Sequence, residues 1–158
     1  MNNGNYAIAF EVDQSPAKVF AAINNPRGWW SQAIKGDTDK LGAVFYHQYQ
    51  NSHRCTLAVT ELVRDRKVIW HVLQNYFDFV KDESEWTGTD IVFEISRTGA
   101  KTAVSFTHVG LSPAQECYDV CSDGWSSLIR GSLRALITAG KGHPDPAEKI
   151  VTGTPESP

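Results

Sequence analysis

Residues 90–109 read DIVFEISRTGAKTAVSFTHV. Two apolar runs, Asp90–Arg97 and Lys101–Val109, flank Thr98-Gly99-Ala100. In the second run Val104, Phe106 and His108 share a face. A side-chain period of two belongs to a half-buried strand. Glycine between two such runs supplies the positive φ of a hairpin loop. The stretch therefore predicts two antiparallel strands with one apolar face, and that face needs a cover.

Further strands lie upstream. Arg54–Val63 and Lys67–Gln74 flank Arg64-Asp65-Arg66, a tight-turn signal, and Ala43–Gln50 alternates less cleanly. Tyr6–Asp13 puts Tyr6, Ile8, Phe10 and Val12 on one face. Ser15-Pro16 then reads as a cap followed by proline at the first helical position, with Val19, Phe20 and Ile23 at helical spacing. Asn25-Pro26 ends that helix, because a residue before proline avoids the α region. Pro26–Gln32 is a short helix or a turn carrying Trp29 and Trp30.

The cover lies downstream. Ser112-Pro113 opens a long helix that runs to about Thr138 and is stopped by Gly140, Gly142 and Pro144. Strand, short helical connection, antiparallel strands and one long C-terminal helix make an α+β layout. Residues 5–144 are expected to form a single domain, and 145–158 a tail rich in Pro, Gly, Ser and Thr.

Composition narrows the function classes. The net charge is −3, with Lys and Arg scattered, so nothing points to nucleic acid. The N-terminus has neither the basic nor the apolar region of a signal peptide. No apolar stretch approaches the roughly 20 residues of a membrane span. Three cysteines, with no CxxC, argue against a disulfide framework and for a reducing cytoplasm. Aromatics, at 11%, are in surplus, and large rings fill a core or line a pocket.

Cys117 and Cys121 begin a helical stripe that continues through Gly124, Trp125, Leu128, Ser132, Leu136 and Ala139. Zinc wants about four ligands, and no His or second cysteine pair shares this helix, so the thiols are expected to line core or pocket. No metal or cofactor is expected. Gly140-Lys141-Gly142 ends a helix instead of opening one, which makes it a cap and not a phosphate loop. His108 and His47 fall on the faces of Phe106 and Phe45, and His71 falls opposite Trp70. Glu61, sharing parity with Val59, is either a carboxylate partner for an inward histidine or the mark of the strand's exposed end. No constellation is specific enough to be called catalytic. The stretch Asn75–Thr89 reads as a loop whose rings Tyr76, Phe77, Phe79 and Trp86 cap something apolar.

Several of these segments resemble one family. Ser15-Pro16, Trp29-Trp30, VTELVRDRKVIWHV (Val59–Val72), EWTGTDIVFEI (Glu85–Ile95), FTHVGL (Phe106–Leu111) and the Gly124–Gly142 helix end are similar to the SRPBCC, or START-like, helix-grip superfamily. Within it they resemble small bacterial proteins related to the C-terminal domain of activators of the heat-shock chaperone ATPase. The resemblance implies a curved antiparallel sheet wrapped around the C-terminal helix, with a cavity between them. In that superfamily such cavities hold lipids, hormones and polyketides, and some members are cyclases or aromatases. The N-terminal domain of full-length chaperone activators has no counterpart here, which weakens a co-chaperone expectation.

The leading expectation is a non-enzymatic binder of a small apolar or aromatic molecule. Its lining would be Trp29, Phe45, Tyr49, Trp70, Phe93, Phe106, His108, Cys121, Trp125 and Leu128, with His108 and Tyr49 setting orientation. The rivals are a cyclase- or hydrolase-type enzyme using an inward histidine, and a protein-interaction module or homodimer.

Overall fold

The computed structural model describes residues 5–49, 53–78, 81 and 85–145. The expected tail falls almost wholly outside these, as does Phe79 of the aromatic loop. Strand β1 (Asn5–Val12) leads into helix α1 (Pro16–Ile23), where the Ser15 hydroxyl accepts the Lys18 N–H at 3.2 Å. A single 3-10 turn follows at Pro26–Gly28. Then come β2 (Val44–Tyr49), β3 (His53–Val63), β4 (Lys67–Phe77), β5 (Asp90–Thr98) and β6 (Lys101–Val109). All neighbours are antiparallel, in the order β1-β6-β5-β4-β3-β2. The β5–β6 hairpin closes with Thr98 opposite Lys101, and Gly99 takes φ +66° as the turn requires.

The C-terminal helix occupies residues 118–139 in three continuous segments: α2 (Tyr118–Ser126), a π-helical stretch (Ser127–Leu133) and α3 (Arg134–Ala139). Gly140 ends it with φ +82°, the left-handed cap conformation. This helix and α1 cover the concave face of the sheet. The buried side chains of every element form one core. The expected α+β helix-grip architecture is therefore what the chain adopts.

Four details depart from the sequence reading. The long helix begins at Tyr118 and not beside Ser112-Pro113. Residues 113–117 form turns and a bend, and the helix-leading N–H groups of Glu116 and Cys117 are taken by the Glu85 carboxylate at 2.8 and 3.0 Å. A tertiary contact thus supplies the cap expected of a local serine. The buried stripe also changes phase along the helix. It runs Cys117, Cys121, Trp125 and then Ile129, Leu133 and Ile137, while Leu128 and Leu136 are only half-buried and Ala139 is exposed. The wider turn of a π-segment shifts the apolar face by one position.

Two bulges reset parity in the sheet. Val59 faces Trp70 and Glu61 faces Ile69, so Thr60 is an extra residue. Beyond it Glu61 leaves the inner face and sits 3.8 Å from Lys67 in an outer ion pair. On β4, Thr56 faces Gln74 and Leu57 faces Val72, which makes Leu73 the extra residue. Inward positions are even-numbered up to Val72 and odd-numbered at Phe77, which is buried.

Candidate functional site

All five tryptophans are buried and join in one network of rings. Trp29 and Trp70 stack at 6.2 Å, Trp30 and Trp70 at 5.9 Å, and Trp86 and Trp125 at 5.6 Å. Trp30 bridges the two halves through Trp125 at 5.2 Å. Phe45, Phe93 and Phe106 fill in around them edge-on. Such edge and offset contacts add to the burial of each ring. The half of the network around Trp29 and Trp70 is closed core. The half around Trp30, Trp86 and Trp125 borders a cavity of about 480 Å³.

Three parts of the fold shape this cavity. The helix contributes Val120, Cys121, Gly124, Trp125, Ser127 and Leu128. The far ends of the strands contribute His47, Tyr49, His53 and Phe77. Trp30, Trp86 and Asp145 close the remaining sides. Val120, 61% exposed, and Tyr49, 36% exposed, stand at the mouth. Asp145 is held beside Trp30 by its backbone: its N–H donates to Trp30 O at 3.0 Å, and its carbonyl accepts the Gln32 N–H at 2.9 Å.

Three inward histidines behave differently. His108 is fully buried with both ring nitrogens engaged. An indole N–H only donates, so the 3.0 Å bond from Trp125 Nε1 makes His108 Nδ1 an acceptor. Its proton is then on Nε2, donating to Thr89 Oγ1 at 2.8 Å, and the Thr89 hydroxyl donates onward to Trp86 O at 2.6 Å. Burial, and secondarily His53, pushes the His108 pKa down to about 3. His108 is thus a neutral tie between sheet, helix and the Trp86 loop. His53 bonds Asn75 Oδ1 at 2.8 Å, and burial lowers its pKa to about 4. His47 lies against Trp30 with ring centres 4.3 Å apart. Burial holds its pKa well below the ordinary histidine value, with His53 adding to the effect. Its Nδ1 has no hydrogen-bond partner, and neither has the buried indole N–H of Trp86. The same is true of Trp70 Nε1 in the closed core, and an unmatched buried polar group costs about 1–3 kcal/mol.

The expected lining residues divide. Tyr49, Cys121, Trp125 and Leu128 border the cavity. Trp29, Phe45, Trp70, Phe93, Phe106 and His108 stand behind it in the core, each almost fully buried. The structure adds Trp30, His47, His53, Phe77, Trp86, Val120 and Asp145 among others. Signals for some were present: Trp30 adjoins Trp29, and Phe77 and Trp86 belong to the ring-rich stretch. Asp145, beyond the helix, had none.

Tyr76 and Phe77 of that stretch belong to β4 and not to a loop. Arg54 lies over the Tyr76 ring at 4.3 Å. The cysteines are free and buried. Cys117 is held protonated, first by its hydrogen bond with Cys121, then by burial and by Glu85. Among the described residues, no three His, Cys, Asp or Glu side chains are placed to hold a metal ion. The His–carboxylate pair among them, His71 and Asp90 at 2.7 Å, lies on the outer face of the sheet. No helix among the described residues is long and apolar enough to cross a membrane.

Comparison with solved structures returns the same architecture. The Aha1 dimer of Colwellia psychrerythraea superposes with a TM-score of 0.69 at 23% identity, over 87% of this chain and 98% of that one. The Mll3558 protein of Rhizobium loti gives 0.64 at 17% identity, over 84% and 95%. CalU16 of Micromonospora echinospora gives 0.61 at 14% identity, over 84% and 74%. At these identities the likeness concerns the fold. No curated protein matches the sequence. The family described as Activator of Hsp90 ATPase homolog 1-like protein matches residues 13–138, the span from the end of β1 to the last turn of the helix. Sheet, gripping helix and sequence match agree, and the chain belongs to this family, within the SRPBCC, or START-like, superfamily.

Proposed function

We propose that the chain binds a small, mainly apolar or aromatic molecule in the cavity between sheet and C-terminal helix. The observation that carries this reading is the cavity itself, about 480 Å³ and walled mainly by rings and aliphatic side chains. Ligand sites are commonly apolar hollows with a few placed polar groups. In this reading Tyr49, Cys121, Trp125 and Leu128 touch the ligand. Trp29, Phe45, Trp70, Phe93, Phe106 and His108 hold those walls in place.

A cyclase- or hydrolase-type reaction would want an inward histidine with a carboxylate in reach. His108 spends both nitrogens on Trp125 and Thr89, and His53 spends Nε2 on Asn75, so weight stays with binding. Three free thiols suit a reducing cytoplasm. Colwellia Aha1 is a dimer, and sedimentation of this protein decides between one copy and two.

Binding is tested with Nile red, a neutral apolar dye, and with native mass spectrometry of the protein purified from its own host. Dye fluorescence should rise on mixing. A small-molecule adduct should be released by organic solvent. Absence of both adduct and dye response overturns the reading.

A further inference from the structure

We propose that Gly124 sets how large a molecule the cavity takes: the helix carries no side chain there, and a ligand broad enough to reach from the strand ends to the helix lies against its backbone. The inference rests on the binding reading and adds the position that limits ligand size. At about 100° per residue, the helix positions that border the cavity fan out from Trp125 through Cys121 and Leu128 to Val120 and Ser127. Gly124 falls in the middle of that fan, three positions from Cys121 and Ser127 and four from Val120 and Leu128. Residues three and four apart are neighbours on a helix surface. A side chain at 124 would therefore project among lining residues.

Nothing in the packing calls for glycine here. A Cβ added at Gly124 meets no atom within 4 Å. At Gly28 and Gly142, by contrast, it would come within 2.7 and 2.5 Å of a neighbouring atom. Nor does the backbone need it, because Gly124 lies inside α2 and takes no positive φ. Glycine inside a helix is less stable than alanine, since it gives up more backbone freedom on folding. The chain thus bears a local cost at the one glycine among the described lining residues. The cavity, at about 480 Å³, stands toward the lower end of the roughly 300–1,000 Å³ usual for ligand pockets, so a few added carbons matter. Gly131 is the internal control. It is also helical, exposed and free of neighbours within 4 Å of a Cβ, yet it does not border the cavity.

The test follows Nile red affinity by fluorescence titration and thermal stability by circular dichroism, in the full chain. Gly124→Ala should raise the melting temperature by about 2–4 °C and weaken the dye severalfold. Gly124→Leu brings in a good helix former, so it should stay folded and weaken the dye at least about tenfold. Gly131→Ala should leave dye affinity unchanged. A more stable protein that binds less well is not what a merely structural glycine produces. Dye affinity within about twofold of the parent in folded Gly124→Leu overturns the size limit. If the leucine variant does not fold, unchanged affinity in Gly124→Ala overturns it instead. An equal loss in Gly131→Ala overturns it too, and all three results leave the binding reading standing. A parent protein with neither dye response nor small-molecule adduct overturns the binding reading, and the size limit with it.

Discussion

Acid should unfold this protein through its interior histidines. An unfolded histidine titrates near 6.5. In the fold, burial holds His53 at about 4, His108 at about 3 and His47 well below its ordinary value. All three folded values are depressed, so below pH 6.5 the unfolded chain binds more protons than the folded one. Stability is then fully present above that pH and falls as pH drops toward the folded values. Each histidine contributes a slope of about 1.4 kcal/mol per pH unit once its unfolded form is protonated. Three acting together give about 4 kcal/mol per unit, and a drop from pH 7.5 to 5.0 removes roughly 6 kcal/mol. Against a total of about 5–15 kcal/mol for a domain, that is a large share. Urea unfolding followed by tryptophan fluorescence, repeated every half pH unit, measures the slope. His108→Gln should lower it by about a third, whatever that change does to stability itself. A stability flat from pH 7 to 5, or an NMR titration placing the native His108 ring near 6.5, would refute the reasoning.

Trp125→Ala removes a buried ring and leaves His108 Nδ1 without its donor. It should cost about 3–5 kcal/mol in chemical denaturation, and an unchanged midpoint would mean that Trp125 carries no packing. Glu85→Gln weakens the acceptor for the Glu116 and Cys117 amides. The expected loss is about 1–2 kcal/mol, with faster hydrogen exchange at those two amides, and unaltered exchange there would rule out the cap. The Cys117→Ala, Cys121→Ala double variant should stay folded, and the parent should carry no stoichiometric zinc. One equivalent of tightly held zinc by elemental analysis, lost in the double variant, would contradict the role of both thiols as packing groups.

Strand and turn identities were legible in the sequence because their causes are local. Alternation over 90–109, the glycine at position 99, the serine cap at position 15 and the glycine stop at position 140 each act within a few residues of themselves. The superfamily was legible for the same reason, as a series of short segments in order. Which residues border the cavity was not, because a cavity is the space left when elements meet, and small shifts in phase decide what faces it. The bulge at Leu73 turns Phe77 inward, the bulge at Thr60 turns Glu61 out, and the π-segment moves the helix face from Leu128 to Ile129. One inserted residue reverses a strand's faces, and one widened turn rotates a helix, while the local alternation on either side stays intact. The helix start depended likewise on Glu85, some thirty residues away in sequence, and the cavity's acidic rim on Asp145 returning to pair with Trp30. Contacts of that range are made only once the chain has closed on itself, which is why tertiary structure alone decided them.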